Sequence, residues 1–475
     1  MWFLPGSGFR VCLTEAFAAA AGSDGSVVVT CRTGSGGPRT GWALAGLLAA
    51  AAVEAWLAHR SAAAGGILDR RWSLFAEIAG MWVAFAAGLA CVRLLPRRTA
   101  VVAVLGLAVV LRLAAVSTKA PLSDDLYRYA WDGVVQSAGI DPYRYPPEAE
   151  QLRSLRDPWL WPPEYAEQPR QTLLNRPNVR TIYPPVAEAW FWLEHQLVPL
   201  SAQDEGYQLA GLGLDLAILA ALLSLLRRAG RDPRAVAAYA LAPLPVLEAV
   251  QNAHVDALAV LLVLGAVAAG ARKPVLSSAA LTCAALVKVY PGLLLPLLLR
   301  GRGRRLQVAG VAIGLAVLTY LPHVLAVGLD VVGYLPGYLR EERYGEGTRY
   351  LLVGLLGLRG TAATAVVVVA LAGLLAHLLR GSLPLPAAGV RLMAGVLLLT
   401  TPVQPWYALL LLALLVLTGD WWALPLTAAG YPLFFATILN GDAVLAGRLS
   451  YGAAALVVAA AALRRRRYTA STPSV

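Results

Sequence analysis

Long apolar runs separated by short polar segments dominate the chain. About 12 of these runs approach the ~20 residues that a helix needs to cross a bilayer. They cover residues 41–58, 73–95, 99–117, 207–226, 234–250, 255–271, 306–327, 361–379, 387–402, 405–419, 421–438 and 443–463. The pattern predicts an all-α, polytopic membrane protein with about 12 transmembrane helices.

Two further apolar runs do not fit single crossings. Residues 182–200 contain Glu188 and Glu194, which make the run too polar to face lipid. We therefore expect a short amphipathic helix lying at the outer membrane surface. Residues 275–299 are interrupted around Lys288 and carry basic residues at both ends. We expect a re-entrant hairpin with Lys288 near its tip, because such a break is tolerated where the backbone is buried in protein.

The charge distribution fixes the predicted orientation. The chain is 58% hydrophobic, and its net charge is +12. Basic clusters occur at the ends of apolar runs, at Arg93, Arg97 and Arg98; Arg227, Arg228, Arg231 and Arg234; Arg272 and Lys273; Arg300, Arg302, Arg304 and Arg305; and Arg464–Arg467. This is the positive-inside bias of a membrane protein, and it argues against nucleic-acid binding. It places both termini in the cytoplasm, with Arg60, Arg70 and Arg71 as exceptions in the first outer loop.

Three segments follow from this topology. Residues 1–40, rich in Gly, Ser and Thr, are expected to form a poorly ordered tail, residues 41–463 a membrane domain, and residues 464–475 a basic cytoplasmic tail. Within the membrane domain, residues 118–206 form an outer lobe and residues 328–349 a second outer loop. The lobe holds 13 of the 28 acidic residues together with several tryptophans, which predicts short helices rather than a disordered connector. The four cysteines show no metal-site or disulfide spacing, so neither is predicted.

The lobe begins with the sequence SDDLYRYAWDG, directly after the predicted span 99–117. Ser123 is a plausible N-cap for a short helix that follows. One of Asp124 and Asp125, at the mouth of the membrane domain, can act as a general base. The alternative is that these acids only stabilise the first turn of the helix through its dipole.

The same helix and the segment after it carry further candidates for substrate binding. Tyr129 and Asp132 share a helix face with Asp125, and Arg128 reaches Asp124 or Asp132. Arg144 lies in DPYRYPP, where aromatic and basic side chains alternate. Aromatic rings stack on sugars and arginine binds phosphate, although tyrosines are also expected at a membrane interface.

Polar residues at three other turns complete the candidate set. His254 and Asp256, at an outer turn, either contact substrate or hydrogen-bond each other to hold two helices together. Lys288 requires an anion such as a phosphate unless it reaches the interface by snorkelling. Arg349 belongs to a charged outer loop that either closes over a ligand or is simply solvated. Trp406, in QPWY, is either a substrate contact or an interface anchor.

Taken together, these motifs resemble the bacterial mannosyltransferases of the GT-C superfamily, most closely the polyprenyl-phosphate-mannose-dependent enzymes. The resemblance rests on SDDLYRYAWDG, GIDPYRYPP, TIYPP with Tyr183, NAHVDAL, LVKVYPGLLLPLLL and QPWYALLL, and covers roughly residues 100–420. It implies a GT-C-like fold with a large outer loop carrying short helices. The implied catalytic Asp is Asp124 or Asp125.

The resemblance also implies the reaction. A sugar, mannose, moves from a polyprenyl-phosphate donor to an acceptor hydroxyl on a glycan or glycolipid, with inversion at the anomeric carbon and without nucleotide, metal or other cofactor. The site faces the periplasm of a bacterial inner membrane. Lys288, helped by Arg128, Arg144 or Arg349, stabilises the departing phosphate. The alternative is a secondary transporter or flippase for a lipid-linked or envelope precursor. Transporters gather polar groups at mid-membrane, however, whereas here they gather at one face.

Overall fold

The computed structural model describes residues 38–61, 67–116, 122–165, 171–300, 302–343, 349–401 and 403–470. These residues form α-helices, 3₁₀ turns and one π-helix (Pro245–Gln251), without β-strands, so the all-α prediction is confirmed. The α-helices are α1 (Pro38–Ser61), α2 (Ile67–Leu94), α3 (Arg97–Ala115), α4 (Asp125–Ser137), α5 (Pro185–Leu197), α6 (Gln203–Arg228), α7 (Ala237–Ala240), α8 (Asp256–Ala269), α9 (Pro274–Ala285), α10 (Leu295–Leu298), α11 (Arg305–Val327), α12 (Leu335–Glu341), α13 (Gly360–Arg380), α14 (Leu385–Leu399), α15 (Ala408–Thr418), α16 (Gly430–Ile438) and α17 (Ala443–Ala470). The predicted tail residues 1–37 and 471–475 lie outside the described residues, and α17 continues into the predicted basic tail.

Among the described residues, seven helices are long and apolar enough to cross a membrane: α1, α2, α3, α6, α11, α13 and α17. An eighth apolar unit, the π-helix followed by α8, is bent by 110° at its break. The membrane-protein prediction is therefore supported, whereas the count of about 12 spans is not confirmed.

Two of the remaining predicted spans, 234–250 and 421–438, are interrupted near prolines and glycines. The run 234–250 divides into a 3₁₀ turn, the short α7 and the π-helix that begins at Pro245. The run 421–438 divides at Ala428 and Ala429, between a 3₁₀ segment that contains Pro425 and α16, which begins at Gly430. Proline removes a backbone donor and clashes with the preceding turn, so a continuous helix is not available there. Hydropathy alone does not detect these interruptions.

Helix α15 forms the centre of the bundle. Its sequence is apolar on every side, and all residues from Ala408 to Leu417 are buried. A helix that is hydrophobic all round is stable only when protein surrounds it, and here α6, α7, α8 and α14 contact it. By contrast, α11 lies at the edge of the bundle and buries only Val308. Its exposed apolar side chains fit a lipid-facing helix.

The region around Lys288 is broken, as the sequence predicts. Helix α9 ends at Ala285, and the short 3₁₀ turn Tyr290–Leu294 and α10 pack back against α9. Arg300 then donates a hydrogen bond to the carbonyl of Leu383. Whether this segment is a re-entrant hairpin in a membrane stays a prediction.

Arg112 and Asp215 are buried charged residues that pair inside the helix bundle. Arg112 of α3 and Asp215 of α6 form an ion pair in which both side chains are fully buried. The Tyr239 hydroxyl donates to Asp215 over 2.9 Å, and Arg112 also donates to the Ala240 carbonyl over 2.6 Å. We call Arg112, Asp215 and Tyr239 the Arg112 network. Near the α1–α2 connection, Arg60 and Arg70 are each 3.0 Å from Glu77, so one carboxylate offsets part of the charge of these exceptions to the charge pattern.

The predicted lobe is structured where it is described. Helix α4 packs against α5, and an aromatic cluster including Trp131, Trp159 and Tyr207 fills the space beneath them. Helix α5 falls within the run 182–200 that predicted a short amphipathic helix. One face of α5 buries Glu188 and Phe191, whereas Leu197 on the other face is exposed. The lobe therefore forms a folded layer over one end of the bundle.

Candidate active site

The start of α4 orients Asp125. The Ser123 hydroxyl accepts a hydrogen bond from the Asp125 backbone N–H at 3.2 Å, which fixes the first turn. Asn175, from the far side of the lobe, donates to Asp125 Oδ1 at 2.6 Å. The side chain of Asp125 keeps 18% of its surface exposed. Asp124 occupies the preceding N-cap position of α4.

A strained turn between the π-helix and α8 brings His254 to Asp125. Ala253 adopts a left-handed φ of 47°, which is unusual for a residue with a side chain. His254 Nε2 lies 3.1 Å from Ser123 Oγ and 3.8 Å from Asp125 Oδ2. Strain of this kind persists only where surrounding contacts enforce it, and it concentrates at functional sites.

The carboxylate of Glu248 supports His254 from the opposite side. Glu248 Oε2 lies 3.2 Å from His254 Nδ1 and accepts a hydrogen bond from Asn252 Nδ2 at 3.0 Å. The Tyr431 hydroxyl donates to Glu248 Oε1 at 2.7 Å. The π-helix carries Glu248 and places it one turn before the imidazole. Glu248, His254 and Asp125 thus form a line from the protein interior to the lobe.

Lys288 lies close to the same turn and already has an anionic neighbour. Its Nζ is 3.5 Å from Asp256 Oδ2, and Asp256 is fully buried at the start of α8. The ammonium lies 4.8 Å from the ring centre of Tyr183 and 6.0 Å from that of Tyr407. The sequence left open whether His254 and Asp256 bond to each other, and the structure instead pairs each with a different partner.

Trp406 packs against His254 and is the last member of this group of residues. Its ring stacks on His254, with a centroid distance of 4.1 Å and an interplanar angle of 23°. Two buried polar atoms beside the stack, Trp406 Nε1 and Asn252 Oδ1, have no hydrogen-bond partner among the described residues. Buried polar atoms without partners are rare and call for a ligand or water. We call Asp125, Glu248, His254, Asp256, Lys288 and Trp406 the site cluster.

Other predicted site residues lie within the lobe itself. Arg128 donates to both oxygens of Asp132 at 3.0 and 3.1 Å, so of its two predicted carboxylate partners it binds Asp132. Burial raises the pKa of Glu188 well above its usual range, and neighbouring Asp132 raises it further. Burial raises the pKa of Asp132 as well, and the Arg128 guanidinium opposes that rise. Tyr129 is buried and stacks on Phe191.

The two remaining predicted arginines contact the region of the second outer loop. Arg144 donates to the Ala326 carbonyl at the end of α11 over 2.9 Å. Arg349 binds the carboxylate of Glu342.

A family comparison bears on what these residues do. Residues 182–402 match the profile of glycosyltransferase family 87, a GT-C-like family of membrane glycosyltransferases. The match indicates a glycosyltransferase. No curated protein and no solved structure shows significant similarity to the chain. The matched segment contains Glu248, His254, Asp256 and Lys288, whereas Asp125 precedes it. The narrower resemblance to polyprenyl-phosphate mannosyltransferases stays a prediction.

A glycosyltransferase needs a base and groups that bind sugar and phosphate. The sequence alone does not identify Asn175 and Tyr431, which contact candidate groups of this kind. Asn175 and Tyr431 carry no recognisable motif. Glu248 is visible as an ionisable residue one turn before QNAHVD, which is the signal that identifies it. In the part of the chain that is described, no group of three His, Cys, Asp or Glu side chains has the arrangement of a metal site.

Proposed function

We propose that the protein transfers mannose from a polyprenyl-phosphate donor to a hydroxyl of a glycan or glycolipid acceptor on the outer face of the membrane. The observation that supports this most directly is the meeting of Asp125, His254 and Lys288 at one end of the helix bundle. A carboxylate and a buried cation are the two groups that such a displacement requires. The family match supports the reaction class.

In the proposed step, the acceptor hydroxyl loses its proton to Asp125 and its oxygen bonds to the anomeric carbon. The bond from that carbon to the phosphate oxygen breaks, and polyprenyl phosphate leaves with the electron pair. Direct displacement inverts the anomeric carbon. Asn175 and Ser123 hold Asp125 in place, and His254 approaches its other oxygen.

The phosphate of the donor is proposed to bind at Lys288. Asp256 fixes the ammonium from one side, and the Tyr183 ring covers it from another. Charge-assisted hydrogen bonds to phosphate oxygens become stronger as the leaving group gains charge. Sugar hydroxyls are proposed to pair with Trp406 Nε1 and Asn252 Oδ1, two of the buried atoms that lack hydrogen-bond partners among the described residues.

The choice between the two adjacent acids provides the test. Asp125→Asn is expected to lower the transfer rate by about 10²–10⁴-fold, the usual contribution of a general base. Asp124→Asn, the matched control one residue away, is expected to retain activity. Both are assayed in membranes with labelled polyprenyl-phosphate mannose. Normal transfer by Asp125→Asn rejects it as the base, and uptake without a glycosylated product favours the transporter alternative.

A further inference from the structure

Helices α1 and α2 precede both the family match and the region of resemblance, yet they reach the site cluster through two buried contacts. One contact runs from α1. Ser61, its last residue, is fully buried, and its hydroxyl accepts a hydrogen bond from Gln251 Nε2 at 3.2 Å. Gln251 ends the π-helix, two residues before the strained Ala253.

The second contact runs from α2 through α16. The rings of Trp82 and Tyr431 lie 6.2 Å apart, and those of Phe75 and Phe435 lie 5.4 Å apart. These aromatic contacts fix the face of α16 from which the Tyr431 hydroxyl reaches Glu248. Glu248 in turn contacts the imidazole of His254.

The π-helix needs this support. Its wider hydrogen-bonding pattern is uncommon and occurs mostly at functional sites. On its opposite side α6 approaches so closely that a Cβ on Gly211 would lie 2.3 Å from the Ala249 carbonyl oxygen. Gln208 of α6 donates to the Gln251 carbonyl at 2.7 Å. The segment that carries Glu248 is therefore held between α6 on one side and the α1–α2 contacts on the other.

We propose that Tyr431 and Ser61 are positioning residues of the active site, and that α1 and α2 thereby form a structural part of it. Tyr431 orients the Glu248 carboxylate, and Glu248 sets the position of the imidazole beside Asp125. Ser61 holds the end of the π-helix from which the His254 turn departs. Only the expected changes in kcat and KM rest on the proposed function.

Tyr431→Phe provides the main test, with Tyr239→Phe as a matched control. Both changes remove a buried tyrosine hydroxyl that donates to a buried carboxylate, at 2.7 and 2.9 Å, and the second lies in the Arg112 network. We expect Tyr431→Phe to lower kcat roughly 10-fold, in line with the loss of a hydrogen bond to a charged group. KM for the donor stays unchanged. Tyr239→Phe is expected to lose similar thermal stability but to keep kcat.

A double variant tests whether Tyr431 acts through Glu248. In a Glu248→Gln background, Tyr431→Phe is expected to cause little further loss of kcat, because coupled residues give non-additive effects. Ser61→Ala is expected to lower kcat about threefold by weakening one neutral hydrogen bond. Equal kcat losses in Tyr431→Phe and Tyr239→Phe, or additive losses in the double variant, would overturn the proposal.

A readout independent of catalysis separates this inference from the proposed function. His254 modification by diethylpyrocarbonate is measured by mass spectrometry in the full-length protein. The His254 side chain is fully buried, so we expect it to be protected from modification in the parent protein and in Tyr239→Phe, and to become modified in Tyr431→Phe. If the parent protein transfers no mannose, the proposed function fails, while this pattern still supports the positioning role. The same reactivity in all three proteins rejects the positioning role.

Discussion

Two of the buried groups of charged side chains, the Arg112 network and the site cluster, are built differently. In the Arg112 network, Asp215 binds Arg112 and Tyr239, and only Nη2 of Arg112 lacks a partner among the described residues. In the site cluster, Trp406 Nε1, His254 Nδ1 and both oxygens of Asp256 make no hydrogen bond of standard geometry within the same described ranges, and neither does Oδ1 of neighbouring Asn252. A closed network stabilises a fold, whereas a cluster with unused donors and acceptors is ready to bind a ligand.

The same contrast appears in the backbone around the two groups. Arg112 and Asp215 lie on the regular helices α3 and α6. The site cluster lies on helix ends and interruptions: the first turn of α4, the π-helix, the turn at Ala253 and the break after α9. Regular helices position structural pairs without strain, while the site uses irregular backbone that its surroundings must stabilise.

Asp215→Asn gives the largest expected effect and tests the comparison directly. The change leaves the Arg112 guanidinium buried beside a neutral amide, and breaking a buried pair in this way costs about 3–5 kcal/mol. We expect a large drop in the thermal unfolding temperature of the detergent-solubilised protein. Asp125→Asn, in the partly exposed site, is expected to unfold close to the parent temperature. If the two variants lose equal stability, the site cluster is as structural as the Arg112 network.

Lys288→Met is expected to have the next largest effect, on donor binding. Loss of charge-assisted contacts worth about 1.5–3 kcal/mol raises the apparent KM for polyprenyl-phosphate mannose by about 10–100-fold. Lys273→Met, at the exposed opposite end of α9, serves as the control and is expected to leave KM unchanged.

A second substitution, at Asp256, separates the role of Lys288 in donor binding from its role in pairing with Asp256. Lys288→Met leaves the buried Asp256 carboxylate without its cation, so some stability is lost as well. Adding Asp256→Asn is expected to restore stability but not donor affinity. Recovery of the normal KM in the double variant would mean that Lys288 only neutralises Asp256.

Much of the architecture and part of the site could be predicted from the sequence. Seven apolar runs correspond to the seven long helices, because an uninterrupted apolar run of about 20 residues is typical of a membrane-spanning helix. The polar residues that interrupt apolar sequence, among them Asp125, His254 and Lys288, do come together in the structure. Ionisable side chains are energetically costly in an apolar environment, so their presence beside apolar runs marks them as candidate site residues.

Other features could not be predicted because they depend on tertiary contacts. No local pattern indicates that Asn175 reaches Asp125 from about 50 positions away or that Tyr431 reaches Glu248 across the bundle. The prolines at 233, 243 and 245 signal an interruption of the run 234–250, but no local pattern indicates a π-helix packed closely against α6 at Gly211. Helical spacing alone leaves the partner of Arg128 open between Asp124 and Asp132, and the folded helix pairs it with Asp132.

Glu194 in α5 extends the comparison to a buried acid of the lobe, where we expect stability to depend on pH. Burial raises the pKa of Glu194 to about 8, whereas an unfolded glutamate titrates near pH 4.3. Between these values the folded state holds a proton that the unfolded chain has lost. Folding stability therefore falls as pH rises, by about 1.4 kcal/mol per pH unit for this group.

Glu194→Gln mimics the protonated side chain and removes this dependence. We expect the stability gain of Glu194→Gln over the parent protein to grow between about pH 5 and 8 and to level off above that. The measurement is thermal unfolding of both proteins across pH 5–9, with Glu205→Gln at the exposed start of α6 as the control. A gain that does not change with pH would mean that a cation or water stabilises the Glu194 carboxylate in its ionised form. The lobe would then share the pairing seen in the Arg112 network rather than keeping this acid neutral.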